Sequence, residues 1–95
     1  MSRRMLRQIR EAIRTGNYDI THHAIDEMVE DGLCISDIEQ AILNGDLSNI
    51  EEDDRRGAKY PIIGFSEDAG TPIGVVGRFK ETQVFLIITV YAIIE

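Results

Sequence analysis

The sequence predicts an α+β domain, three N-terminal helices packed on a four-stranded antiparallel sheet, and three observations carry that prediction. Apolar residues recur at helical spacing through the first 44 positions, and each recurrence is bounded by capping residues. After Gly45 the pattern changes to runs of β-branched and aromatic residues with alternation of period two. Glu67-Asp68-Ala69-Gly70 and Lys80-Glu81-Thr82 between those runs are short enough to be hairpin connections, so an antiparallel meander is the simplest sheet.

The first helix is defined by Met5, Leu6, Ile9, Ala12 and Ile13 on one face. Arg3, Arg7, Arg10 and Arg14 form a separate basic stripe at i, i+4, i+7 and i+11. Gly16 supplies a left-handed residue to end the helix, and Arg14 places a cation at its negative end.

Thr21 is the predicted cap of the second helix, with Ile20 and Ile25 placed as a hydrophobic staple and Ala24, Ile25, Met28 and Val29 as the apolar stripe. Asp31-Gly32-Leu33 reads as its stop, glycine turning the chain and Leu33 folding back. Ser36-Asp37-Ile38-Glu39 has the S-x-x-E form of a capping box, and Ile38, Ala41 and Ile42 give the third helix, which ends at Asn44-Gly45.

Four strands are expected, at 47–50, 59–65, 71–79 and 83–91, in the simplest case as a meander. VFLIITVY in the last of them is apolar on both faces. An interior strand, covered by helices on one side and by a further contact on the other, meets that requirement.

Ninety-five residues with 43% apolar and 28% charged side chains fit one domain, 1–95, comprising a basic amphipathic helix at 1–16 and a core at 17–95. The single cysteine, Cys34, can form no internal disulfide, and no apolar leader follows the first arginines, so a cytoplasmic protein is expected. The longest apolar run, 84–94, is about half the roughly 20 residues of a spanning helix, which argues against a membrane partner. The net charge of −7 disfavours RNA binding on average. The average hides a polarity: five arginines and one acid give the first 14 residues +4, and −7 less +4 leaves −11 on the rest.

Few residues could carry chemistry. His22 and His23, the only histidines, stand one turn before Asp26 and Glu27, and a near-neutral imidazole suits proton transfer. H-E-x-x-H is absent and three protein ligands are not in sight, so no metal site is assigned. Half of a site completed by a second copy is the remaining metal reading. Arg78 and Tyr91 fall on adjacent strands, where they could offer a cation for phosphate and a phenol for hydrogen bonding or stacking. Arg55 and Arg56 end the charge run that begins at Glu51, and they matter if they face a cleft.

THHAIDEMVEDGL, the DDRR turn, GTPIGVV and IITVY resemble, in that order, an uncharacterised family of small bacterial and archaeal toxin-like proteins with the phrases T-x-HA-x-x-RM-x-ERGI, DDRP, PLHVV and IITVY. The resemblance covers roughly residues 18–94. It implies a RelE/MqsR-like fold, metal-independent RNA cleavage without a cofactor, and an antitoxin protein as partner. It places His23, Asp54, Arg55, Thr89 and Tyr91 on matching positions. Glu27 and Asp31 stand where that pattern has arginine, and Gly74 where it has histidine.

Two functions follow as expectations. The first is a toxin that cleaves RNA, with His23 as general acid or base, Tyr91 and Arg78 at the phosphate, and Arg55, Arg56, Arg3 and Arg7 holding the backbone. The second, motivated by the acidic balance and the three departures, is a non-catalytic binding or oligomerisation module of the same fold, for instance a homodimer.

Overall fold

The computed structural model describes residues 2–50, 57–68 and 70–93. Three helices, α1 (Ser2–Arg14), α2 (His22–Glu30) and α3 (Ile35–Asn44), accompany five strands: β1 (Tyr18–Ile20), β2 (Asp46–Leu47), β3 (Tyr60–Phe65), β4 (Pro72–Phe79) and β5 (Phe85–Ala92). The sheet order is β1-β5-β4-β3-β2. β2, β3, β4 and β5 pair antiparallel, but β1 runs parallel to β5, with Tyr18 opposite Phe85 and Ile20 opposite Ile87.

The expected four-stranded antiparallel sheet is therefore corrected to a five-stranded mixed one, still within an α+β fold. The missed strand is three residues long and runs straight into the cap of α2, so it has too few residues to show alternation. Ile20, predicted as a staple, is its last residue. A parallel pair needs a long crossover, and here everything from α2 to β4 supplies it.

Both early helix stops form as their residues require. Gly16 and Gly32 adopt φ of 73° and 69°, and Asn17 N–H reaches the Ala12 carbonyl as Leu33 N–H reaches that of Met28, each at 2.8 Å. The start of α3 differs from expectation. Its cap is Cys34, whose N–H donates to Asp37 at 2.9 Å, while the other Asp37 oxygen takes the Glu67 N–H at 3.0 Å. Glu39, assigned to the capping box, instead receives the Tyr18 hydroxyl at 2.5 Å, and burial and the adjacent carboxylate push that phenol up to about 12.

All three helices cover one face of the sheet. Ile9, Ile13, Ala24, Ile38 and Ile42 pack there against Ile62, Ile73, Val75, Phe85, Ile87 and Val90, each buried. Two of the β5 core residues, Ile87 and Val90, are three apart because the register slips: Val76 opposes Thr89 and Gly77 opposes Ile87, leaving Ile88 as a bulge. That phase shift explains why VFLIITVY shows no clean alternation. Arg10, counted in the basic stripe, leaves it: its Nη2 donates to the Gly45 carbonyl at 2.8 Å, a cation at the negative end of α3.

Candidate functional site

Thr21 fixes where α2 meets the sheet. Its hydroxyl oxygen accepts the Ala24 N–H at 3.1 Å and caps the helix, while the hydroxyl donates to the Ile88 carbonyl at 3.1 Å and the Thr21 N–H donates to Ile87 at 3.0 Å. Consecutive carbonyls of a regular strand point to opposite sides, so one residue reaches both only because β5 is bulged at Ile88.

Beyond Ile20 no strand among the described residues pairs with this edge of β5. Glu27 and Asp31, one turn apart on α2, take over: Glu27 Oε1 accepts the Val90 N–H at 3.1 Å and Asp31 Oδ2 accepts the Ala92 N–H at 2.9 Å. These are two of the positions at which the chain departs from the resembled pattern. Their carboxylates face strand amides, and the sequence carries no signal for that role beyond their i, i+4 spacing. On the far edge Asn44 does the same for β3, donating to the Phe65 carbonyl at 3.1 Å and accepting its N–H at 2.9 Å.

His23 sits beside this seam. Its Nε2 lies 3.4 Å from Glu27 Oε2, and its side chain is 69% exposed. Glu27 thus bridges an imidazole and the β5 backbone one residue before Tyr91. His22 is also exposed. Among the described residues no three histidine, cysteine, aspartate or glutamate side chains gather as a metal would need.

The sheet face opposite the helices, open among the described residues, carries the other candidates. The register puts Ile63 beside Gly74 and Gly74 beside Tyr91, with Val76 next to Thr89 and Arg78 next to Leu86. Phe65 and Tyr91 are 49% and 38% exposed, and Ile63 is exposed with them. Tyr91 lies flat over Gly74: a Cβ at position 74 would collide with its Cζ and stand 2.5 Å from its hydroxyl oxygen. A histidine there, as in the resembled pattern, has no room while the phenol holds this pose.

Arg78 and Tyr91 therefore share a face, as expected. They are not adjacent: Gly74 and Arg78 lie four steps apart along β4, about 13 Å at roughly 3.3 Å per residue. Neither the guanidinium nor the phenol hydroxyl has a hydrogen-bond or ion-pair partner among the described residues, whereas nearby Lys80 is bound to Asp19 at 2.7 Å. Arg3 and Arg7 are exposed on α1, on the helical side of the sheet, so they and Arg78 belong to opposite surfaces. Arg55 and Arg56, with Asp54, lie outside the described residues.

A depression of about 260 Å³ between the end of α1 and the β4–β5 turn, lined by Gln8, Glu11, Thr15, Asn17, Phe79 and Gln83, contains none of these side chains. Among the described residues no helix is long and apolar enough to cross a membrane.

The chain matches no curated protein and no solved structure. Residues 20–92, from the last residue of β1 to the last of β5, match a family model described as a domain of unknown function (DUF4258). The seam of α2 on β5 and the whole open face fall inside that match, α1 falls outside it, and the chain belongs to this family.

Proposed function

We propose that the open sheet face binds single-stranded RNA, and that the protein is a RelE/MqsR-like toxin component or a weakened form of one. The observation that carries this reading is the presence of two groups without a partner among the described residues, the Arg78 guanidinium and the Tyr91 phenol, on one face that also exposes Phe65. Base-stacking aromatics beside a cation on an open sheet are what unpaired RNA requires: rings take up the bases and the guanidinium takes a phosphate. Arg78 is half-buried beside Leu86, which strengthens its attraction for phosphate over that of a fully solvated cation.

His23 supplies the acid–base chemistry from the β5 edge. Its imidazole accepts the proton of a ribose 2′-hydroxyl as that oxygen attacks the adjacent phosphorus, and the imidazolium returns the proton to the departing 5′-oxygen. Glu27, 3.4 Å away, stabilises the charged imidazole between those steps. Incubating the protein with single-stranded RNA tests this directly. Cleavage that is unaffected by EDTA and lost in His23→Ala supports it; intact RNA after prolonged incubation rules out the catalytic half of the proposal.

A second reading is favoured by the exposure of His23 on α2, off the sheet face, and by the apolar character of that face around Ile63, Phe65 and Val76. On it the same face docks a protein, such as an antitoxin, without catalysis. RNA affinity separates the two readings, because a purely apolar docking face gains nothing from lowering the salt.

A further inference from the structure

The structure carries two helix ends whose charges oppose the helix dipole, the N-terminus of α1 and the C-terminus of α2. α1 has Arg3 and Arg4 in its first turn with no acid there, followed by Arg7; all three are exposed and without an ion-pair partner among the described residues. α2 has acidic residues and no basic one in its last turn. Glu27 and Asp31 are occupied by β5, but Asp26 and Glu30 are exposed and, among the described residues, without an ion-pair partner. Cations at a helix N-terminus and anions at a C-terminus each cost stability in the isolated molecule. Both costs are relieved when the two surfaces meet.

The outer face of α2 also exposes Ile25 and Val29, one turn apart, at 39% and 70%. Both were expected in the apolar stripe that packs on the sheet, and among the described residues nothing covers Val29. Arginine stems are suited to lie along such an apolar pair while their guanidinium groups reach flanking carboxylates. Among the described residues no hydrogen bond or ion pair joins these arginines to Asp26 or Glu30 within one molecule. We infer that the α1 arginines of one copy dock on the Ile25/Asp26/Val29/Glu30 face of α2 of a second copy of this chain. A second copy is the occupant because it carries the complementary charge in the required form: +4 on the α1 segment and −11 on the remainder. Neither helix carries Arg78 or Tyr91, so this association is independent of RNA binding by the sheet face, while α2 also carries His23 of the proposed cleavage step.

Sedimentation velocity on the full chain at about 100 µM, in about 20 mM and about 500 mM NaCl, reads this out, because screening shortens the reach of exposed charges several-fold across that range. The expected result is a dimer or larger species at low salt and a monomer at high salt. Arg3→Glu/Arg7→Glu and Asp26→Arg/Glu30→Arg should each weaken low-salt association at least about tenfold, because like charges then face each other. Mixing the two variants restores opposite signs at both contacts and should restore association. A monomer at low salt, association indifferent to the substitutions, or no recovery on mixing overturns the inference. All four side chains are exposed, and recovery on mixing itself shows that both variants are folded.

Discussion

The Tyr91 ring occupies the space above Gly74, its cross-strand partner, so the two positions form one structural unit on the open sheet face. The absence of a side chain at 74 is what lets the phenol lie flat against the strand. Gly74→Ala forces the ring outward. Because the atoms in the way are the far end of a half-exposed side chain, the stability cost should stay near or below the roughly 1 kcal/mol low end for overpacking. In a Tyr91→Ala background the same substitution should cost less, and a double-mutant cycle by urea unfolding measures the coupling. Equal costs in both backgrounds would show that the ring is not held there.

The two carboxylates at the edge of β5 make a second prediction. Glu27→Ala and Asp31→Ala each leave one strand N–H without its acceptor, at about 1–2 kcal/mol for a partly exposed charge-assisted bond. Hydrogen exchange should accelerate at Val90 for the first variant and at Ala92 for the second. Acceleration of both amides in both variants would instead mean that α2 leaves the edge as a unit.

Thr21 combines a helix cap with two bonds to the bulge. Thr21→Val keeps the shape and removes the hydroxyl, so it should destabilise by about 1–2 kcal/mol, the upper range for a cap. Thr21→Ser retains both hydroxyl bonds and should recover most of that loss. Thermal unfolding of the pair checks the order.

Tyr18 gives a pH signature. Its phenol is raised from 10.0 to about 12 by burial and by the Glu39 carboxylate, so the neutral form is favoured in the folded state. The associated stability is fully present below about pH 10 and is lost as pH rises through about 12. Ultraviolet titration should show a tyrosine ionising near pH 12 that disappears in Tyr18→Phe; a Tyr18→Phe profile identical to the parent would contradict the Tyr18–Glu39 bond.

Asp68 gives the acid counterpart. Its carboxyl is held below the usual value by the Ser66 hydroxyl, at 2.5 Å, and by the Gly70 N–H, at 2.9 Å. A depressed carboxylate contributes stability above its unfolded value and loses it as pH falls through the folded one. Ser66→Ala should therefore move the Asp68 titration, followed by NMR, upward toward the usual range.

The helices were legible in the sequence because their signals are local. Gly16, Thr21 and Gly32 act within one turn of their own positions, and the structure uses each as predicted. What was not legible depends on contacts far along the chain. β1 exists because Tyr18–Ile20 meets β5 more than 60 positions away, and three residues leave no periodic trace. The bulge at Ile88 hides the alternation of β5 for the same reason. In the candidate site, the face of Arg78 follows from the parity of β4, but Tyr91 shares it only through the bulge, since an unbroken register would set Tyr91 opposite Ile73 on the core face; the chemistry of both residue types could be read in advance. The roles of Glu27 and Asp31 could not, since a carboxylate that faces backbone amides looks the same in sequence as one that faces solvent.

Affinity for single-stranded RNA tests the central claim most directly. Fluorescence anisotropy with a short labelled oligonucleotide should show binding that weakens with salt, falls by about 1–3 kcal/mol in Tyr91→Ala through lost stacking, and weakens in Arg78→Ala with a shallower salt slope. Arg3→Ala, on the opposite surface, should leave it unchanged. No binding at low salt, or binding that Arg3→Ala weakens while Arg78→Ala and Tyr91→Ala do not, would contradict the assignment of the open sheet face to RNA.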